Sequence, residues 1–78
     1  MAKVIVYSTP SCPYCHLTKE FLKKNKITFD DVNVAANPAK AREMIEKSGQ
    51  QGVPVTDIDG KIIIGFDKDA LKRALHLS

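Results

Sequence analysis

The chain of 78 residues has two cysteines, Cys12 and Cys15, which are separated by only two residues. Thiols at this spacing can form a reversible disulfide or supply half of a metal site. A structural zinc ion takes about four ligands, and the other soft candidates are His16 and His76. We expect His16 to point away from Cys15 on a helix, and His76 lies near the far end of the chain. The spacing therefore favours thiol–disulfide chemistry and predicts no bound metal or cofactor.

The residues around the cysteines predict a strand, a loop and a helix. Residues 3–7 are rich in β-branched and aromatic side chains, which is typical of a strand. Pro13 suits the first position of a helix, because its missing N–H would have no partner there. Cys12 then lies at the N-cap, where free N–H groups favour an anion such as a thiolate. The helix dipole contributes only about 0.3–1 kcal/mol, so the thiolate also needs a direct hydrogen bond, which Cys15 can donate.

This geometry predicts different roles for the two thiols. Cys12, exposed at the helix tip, would attack a substrate disulfide and form a mixed disulfide. Cys15, more buried in the first turn, would then attack the Cys12 sulfur and release the reduced substrate. Lys19 follows one turn after Cys15 and would add positive potential.

The first half of the chain predicts a β-α-β unit followed by a second helix. The first helix is expected over residues 13–25, and the second strand lies within residues 27–34. Asn37 caps the second helix and Gly49 ends it. The apolar face of the first helix is predicted to contain Leu17, Phe21 and Leu22.

The second half predicts a hairpin and a last helix. Residues 53–58 and 61–64 flank Asp59-Gly60, which is a strong hairpin signal. Asp67 is expected to cap the last helix. The order β-α-β-α-β-β-α predicts an α/β domain over residues 1–78, with a mixed four-stranded sheet, three helices and a parallel β-α-β crossover.

Composition excludes several classes of protein. Hydrophobic residues make up 44% of the chain and charged residues 27%, which is typical of a globular domain. No apolar run approaches the roughly 18 residues of a membrane span. The net charge of +3 is scattered rather than gathered with aromatic residues into a nucleic-acid surface. Because no signal-peptide pattern is visible, we expect a cytoplasmic protein that binds neither nucleic acid nor membrane.

The whole chain resembles a dithiol glutaredoxin of the thioredoxin-fold superfamily. The resemblance lies in the first strand, the motif from Cys12 to Cys15 followed by His16, the Val53-Pro54 pair and Gly65 before the last helix. It implies a thioredoxin-like fold and a monomer. It also implies reduction of disulfide-containing or glutathionylated proteins, with glutathione as reductant and co-substrate.

The resemblance further implies a groove for glutathione. Val53 and Pro54 should form the cis-proline turn of the family, and the Val53 backbone should pair with the cysteine of glutathione. The loop Gly65-Phe66-Asp67 should meet its γ-glutamyl end at the start of the last helix. The other candidate glutathione contacts are Tyr14, Thr9 and Gln51.

Three departures from the usual glutaredoxin pattern keep other interpretations open. Thr9 stands where many members have lysine, Gly52 where many have threonine, and Phe66 where many have a second glycine. The Gly-Phe pair is similar to that of NrdH-type redoxins, which take electrons from thioredoxin reductase and supply ribonucleotide reductase. A third interpretation is a dimer that binds an iron–sulfur cluster through Cys12 and glutathione, and Pro13 disfavours it.

Overall fold

The structure is a computed structural model that describes residues 3–76. The predicted order of elements and the α/β class are confirmed. The elements are β1 (Val4–Ser8), α1 (Pro13–Lys24), β2 (Asp30–Asn33), α2 (Pro38–Ser48), β3 (Val55–Ile58), β4 (Lys61–Ile64) and α3 (Lys68–Ala74).

The four strands form one mixed sheet in the order β2-β1-β3-β4. Strand β1 runs parallel to β2 and antiparallel to β3, and β3 pairs with β4 as a hairpin. Tyr7, near the end of β1, is the partner of Val55 at the start of β3. The loop that leaves β1 and the loop that enters β3 therefore meet at one end of the sheet.

Two apolar clusters lie on opposite faces of this sheet. On one face, Phe21 and Leu22 of α1 and Leu71 of α3 pack against side chains of the strands. On the other face, Met44 of α2 packs against Tyr7. Helices α1 and α3 thus share one face, and α2 covers the other. We refer to these as the α1 face and the α2 face.

The helix starts follow the predicted capping chemistry. The side chain of Asn37 accepts a hydrogen bond from the N–H of Lys40 at 3.2 Å. The side chain of Asp67 accepts one from the N–H of Ala70 at 3.0 Å. Helix α2 ends at Gly49, whose φ of 75° lies in the left-handed region that glycine adopts without strain. Short polar caps therefore fix where α2 and α3 begin.

The prediction for the inner face of α1 is partly wrong. Phe21 and Leu22 are buried as expected, but Leu17 is 43% exposed, and Cys15 and Thr18 are buried instead. An α-helix turns by about 100° per residue, so Leu17 lies well away from the buried side that Thr18 marks. The hydroxyl of Thr18 can be buried because it donates to the carbonyl of Tyr14 at 3.0 Å.

Candidate active site

Cys12 is the N-cap of α1, and its side chain receives a hydrogen bond from the helix. The N–H of Cys15 donates to the Sγ of Cys12 at 3.2 Å. Pro13 occupies the first helical position, and the backbone of Cys12 is extended, with φ −92° and ψ 115°. The direct hydrogen bond that the sequence predicts as support for a thiolate is therefore present. A sulfur in this position gains stabilisation for its negative charge.

The two free thiols have different surroundings. Cys12 is half-buried, whereas Cys15 is fully buried. Burial, and then the hydrogen bond with Cys12, raise the pKa of the Cys15 thiol to about 11, although the backbone of Thr9 and the charge of Lys19 act in the opposite direction. Cys15 therefore remains a thiol at neutral pH, which makes it a poor first nucleophile.

The turn before β3 lies against Cys12. The Val53-Pro54 peptide bond is cis, and the thiol of Cys12 faces the carbonyl oxygen of Val53, with 3.8 Å between sulfur and oxygen. The carbonyl of Pro54 accepts a hydrogen bond from the N–H of Gly65 at 2.8 Å. The structure thus brings Cys12, Val53, Pro54 and Gly65 to one end of the sheet.

The side chains that are expected to line the glutathione groove differ in how exposed they are to a ligand. Tyr14 is 62% exposed in the first turn of α1. Phe66 is half-buried and packs edge-to-face on Phe21, with 6.3 Å between ring centroids. The carboxylate of Asp67 caps α3. The structure therefore leaves Tyr14 free for contact, while Phe66 also belongs to the core of the α1 face.

The two further candidates, Thr9 and Gln51, have no side-chain hydrogen bonds among the contacts of residues 3–76. The carbonyl of Thr9 accepts from the N–H of Cys12 at 3.4 Å, so its backbone shapes the loop. Gln51 is exposed. The neighbouring Gln50 holds the turn by exchanging two hydrogen bonds with the backbone of Gly52, at 2.8 and 2.9 Å.

A feature that the sequence does not predict, the contact of Lys19 and Ser8 with Asp31, lies beside the site on the α1 face. The hydroxyl of Ser8 donates to one carboxylate oxygen of Asp31 at 2.8 Å, and the ammonium of Lys19 donates to the other at 3.0 Å. Burial acts to raise the pKa of Asp31, but the hydrogen bonds from Lys19 and Ser8 outweigh it and lower that pKa. We call these three residues the Ser8–Asp31–Lys19 chain.

Residues 3–76 hold neither a cluster of metal ligands nor a membrane-spanning helix. Within that range, no three or more His, Cys, Asp and Glu side chains are grouped so that they could hold a metal ion. No helix in the same range has the length and apolar character needed to cross a membrane.

The Glutaredoxin family model matches residues 4–63, a span that contains both cysteines and the cis-proline turn. With the thioredoxin-like architecture, this match defines a thiol–disulfide oxidoreductase. More particularly, the chain belongs to the glutaredoxin family.

Curated relatives extend the match over most of the chain. A glutaredoxin-like 8.6 kDa protein of Clostridium pasteurianum, encoded in a rubredoxin operon, is 50% identical over 91% of this chain and 95% of its own length. Glutaredoxin 3 of Escherichia coli K12 is 40% identical over 86% of this chain and 81% of its own. The glutaredoxin-like protein NrdH of Lactococcus lactis is 31% identical over 90% of this chain and 96% of its own length.

Solved structures have the same fold. The crystal structure of a glutaredoxin from Archaeoglobus fulgidus superposes with a TM-score of 0.88 and 28% identity, covering 96% of this chain and 87% of that one. The NrdH-redoxin of Escherichia coli superposes with a TM-score of 0.80 and 27% identity, covering 91% of this chain and 92% of that one. The fold is therefore shared with both a glutaredoxin and an NrdH-redoxin, and it does not distinguish between them.

Proposed function

We propose that this oxidoreductase uses Cys12 as its nucleophile and Cys15 as its resolving thiol, with glutathione as reductant. The observation that carries the proposal is the hydrogen bond from the N–H of Cys15 to the Sγ of Cys12, at 3.2 Å. It stabilises charge on one sulfur only, while the burial of Cys15 keeps the other protonated. The two thiols therefore have different surroundings, and we assign the first attack to Cys12.

In the first step the Cys12 thiolate attacks a substrate disulfide. A bond forms between the Cys12 sulfur and one substrate sulfur, and the other substrate sulfur leaves as a thiolate that takes up a proton. The carbonyl of Val53, 3.8 Å from the Cys12 sulfur, lies where an extended substrate backbone could pair with it. This contact would align the substrate disulfide with Cys12.

In the second step a thiolate attacks the Cys12 sulfur of the mixed disulfide. For a protein disulfide we propose that Cys15 does so, which forms the Cys12–Cys15 bond and releases the reduced protein. For a glutathione mixed disulfide, a free glutathione molecule can act instead. Cys15 is therefore needed for protein disulfides and not for glutathione mixed disulfides.

Glutathione would lie across the end of the sheet between Val53 and the start of α3. We propose that Tyr14, Pro54 and Phe66 line this groove and that Gly65 and Asp67 meet the γ-glutamyl end. We propose Thr9 and Gln51 as further contacts of glutathione. Support comes from the hydrogen bond between Gly65 and Pro54, which joins the two loops, and from the 40% identity to Glutaredoxin 3.

A second candidate function is that of an NrdH-type redoxin reduced by thioredoxin reductase. Phe66 after Gly65 and Thr9 before the motif favour it, as does the relative named NrdH in Lactococcus lactis. For either function we propose a monomeric, single-domain, cytoplasmic protein without a bound cofactor, since the redox group is the thiol pair itself.

The test compares two electron donors for one small glutathione mixed disulfide. NADPH oxidation is followed with glutathione and glutathione reductase, and separately with thioredoxin reductase. We expect turnover with glutathione in the wild type and in Cys15→Ser. In Cys12→Ser we expect the rate of turnover to fall by at least about 1,000-fold, because removing a catalytic nucleophile typically has an effect of this order. Turnover with thioredoxin reductase alone would establish the second candidate. Turnover in Cys12→Ser would refute the assignment of the nucleophile.

A further inference from the structure

Lys19 has an unusual position for a lysine of this small chain. It lies four residues after Cys15, so the two side chains are neighbours on one side of α1. Its side chain is only 16% exposed, the lowest value among the lysines whose ion pairs the structure describes. A lysine is a flexible, strongly hydrated side chain, so its confinement beside the resolving thiol calls for a physical reason.

The confinement comes from the Ser8–Asp31–Lys19 chain. The Lys19 ammonium lies 3.0 Å from one oxygen of Asp31, and Ser8, which is buried at the end of β1, holds the other oxygen at 2.8 Å. Asp31 is therefore anchored from both sides, and Lys19 spans from α1 to β2. An ammonium held in this way does not sample the many rotamers of a free lysine.

The charge of Lys19 acts on Cys15. Burial raises the pKa of Cys15, and the positive charge of Lys19 is one of the two influences that lower it, the other being the backbone of Thr9. Cys15 must lose its proton before it can attack, because the thiolate is the nucleophile in disulfide exchange. A fixed positive charge beside Cys15 therefore acts on the step in which Cys15 takes part.

We propose that Lys19, held in place by Asp31 and Ser8, is a positioning residue for the resolving step. The inference rests on the proposed roles of Cys12 and Cys15. As the Cys15 thiol gives its proton to solvent, the ammonium stabilises the thiolate. That thiolate attacks the Cys12 sulfur, the Cys12–Cys15 bond forms, and the bond to the substrate breaks. The substrate sulfur leaves with the electron pair and is protonated.

Other titratable groups face this corner of the molecule. Cys12 and His16 belong to the same turn of α1, and the ring nitrogen Nε2 of His16 lies 3.0 Å from the carbonyl of Pro10. From β2 comes the carboxylate of Asp31, on which the charge of Lys23 also acts. A pH profile of the resolving step must therefore be compared between variants at constant ionic strength.

The test follows the two steps separately with 5,5′-dithiobis(2-nitrobenzoic acid). Attack by Cys12 releases one equivalent of coloured thionitrobenzoate, and attack by Cys15 on the mixed disulfide releases the second. Stopped-flow absorbance gives both rates, and the first is an internal reference. The reagent needs neither glutathione nor a reductase, so the result does not depend on the proposed electron donor. Cys15→Ser should release one equivalent only, and a second equivalent would refute the proposed role of Cys15.

Substitutions of Lys19 give the main readout. At pH 7 we expect Lys19→Met to slow the second release about fivefold relative to the first, and to shift its pH profile towards alkaline pH. Lys19→Arg should stay within about twofold of the wild type, because it keeps the charge. Lys24→Met, at an exposed position of the same helix, is the matched control for loss of one positive charge. An unchanged second release in Lys19→Met would overturn the proposal.

Asp31→Asn separates an electrostatic role from a structural one. Asparagine can still accept from Lys19 and contact Ser8, but it no longer neutralises the ammonium. If Lys19 acts through its charge, the second release in Asp31→Asn should be as fast as in the wild type or up to about twofold faster. If the ion pair only fastens α1 to β2, Asp31→Asn and Lys19→Met should both be slow, and the proposal would be wrong. Far-UV circular dichroism confirms that each variant is folded.

Discussion

The two faces of the sheet both carry a polar network, but the networks differ in size and in what they touch. The α1 face has the Ser8–Asp31–Lys19 chain, which lies beside the thiols. On the α2 face, the ammonium of Lys47 donates to the Tyr7 hydroxyl at 2.7 Å and to Asp57 at 2.8 Å. The Tyr7 hydroxyl also donates to Glu43. The α2 network therefore ties one helix to two strands.

The charge states within the α2 network support one another. Hydrogen bonds to Asp57 and Tyr7 raise the pKa of Lys47. Burial acts to raise the pKa of Asp57, but the hydrogen bonds from Lys47 and from the backbone of Gly60 outweigh it and lower that pKa. Burial raises the pKa of Tyr7, so its hydroxyl stays neutral between the two charged groups. The network is thus held in one ionisation state over the whole neutral range.

The carboxylates of the two networks differ in exposure, and so the networks should differ in how much they stabilise the fold. Asp57 has a side chain only 12% exposed, whereas that of Asp31 is 47% exposed. Breaking a partly buried pair leaves an unsatisfied charge, which costs more than breaking an exposed pair. We therefore expect substitutions on the α2 face to change the free energy of unfolding, and substitutions on the α1 face to change the reaction of the thiols.

The largest effect is expected for Lys47→Met. It leaves the Asp57 carboxylate without its ammonium partner, and we expect a loss of about 2–3 kcal/mol in the free energy of unfolding. The rate constants with 5,5′-dithiobis(2-nitrobenzoic acid) should remain within about twofold of the wild type. Urea unfolding followed by circular dichroism measures the first quantity, and stopped-flow absorbance measures the second.

Two lysine variants complete the comparison. Lys40→Met removes a more exposed ammonium, 3.5 Å from Glu43, and should leave the free energy of unfolding nearly unchanged. Lys19→Met should cost less than about 1 kcal/mol while slowing the second release. Equal losses of stability in Lys47→Met and Lys19→Met would contradict the separation between the faces.

A second effect on stability is expected at alkaline pH and belongs to the α1 face. The pKa of Cys15 is raised from 9.0 to about 11. The stabilisation from keeping this thiol neutral is complete below pH 9, and it is lost as the pH rises through the folded value. The loss should reach about 2 kcal/mol by pH 11. Urea unfolding of the reduced protein from pH 8 to pH 11 measures it.

Cys15→Ala is the control for this alkaline loss. It removes the titrating thiol, so its stability should fall less steeply with pH than that of the wild type. Lys40→Met retains both Cys15 and Lys47 and should keep the steep slope. Identical slopes in the wild type and Cys15→Ala would show that the alkaline loss arises from other groups.

The order of elements could be predicted because its signals are local. Pro13 sets the start of α1, Asn37 caps α2, and Asp59 and Gly60 form the turn between β3 and β4. Each depends on residues within one turn of the chain. The hydrogen bond from Cys15 to Cys12 followed from the same logic, because an N-cap side chain receives a backbone N–H three residues later.

The polar networks could not be predicted because they join distant residues. Lys19 meets Asp31 across 12 positions, and Tyr7 meets Lys47 across 40. The pairing depends on how the helices pack on the strands, and no signal within one turn of the chain specifies that packing. The prediction that Leu17 is buried is wrong for a related reason. The buried side of α1 is set by what packs against it, and periodicity alone favoured the larger apolar side chain.

A third effect on stability is expected at acidic pH and separates the two faces again. Asp57 and Asp31 both have lowered pKa values. The stability they contribute is present above the ordinary value of 3.8, and it is lost as the pH falls from there through the lowered pKa of the folded protein. Lys47→Met should reduce this acid-induced loss of stability more than Lys19→Met does, by about 0.5–1 kcal/mol, because the carboxylate of Asp57 is less exposed to solvent than that of Asp31. Urea unfolding between pH 3 and pH 6 measures the difference, and a larger change in Lys19→Met would mean that the α1 face carries the stabilising charges.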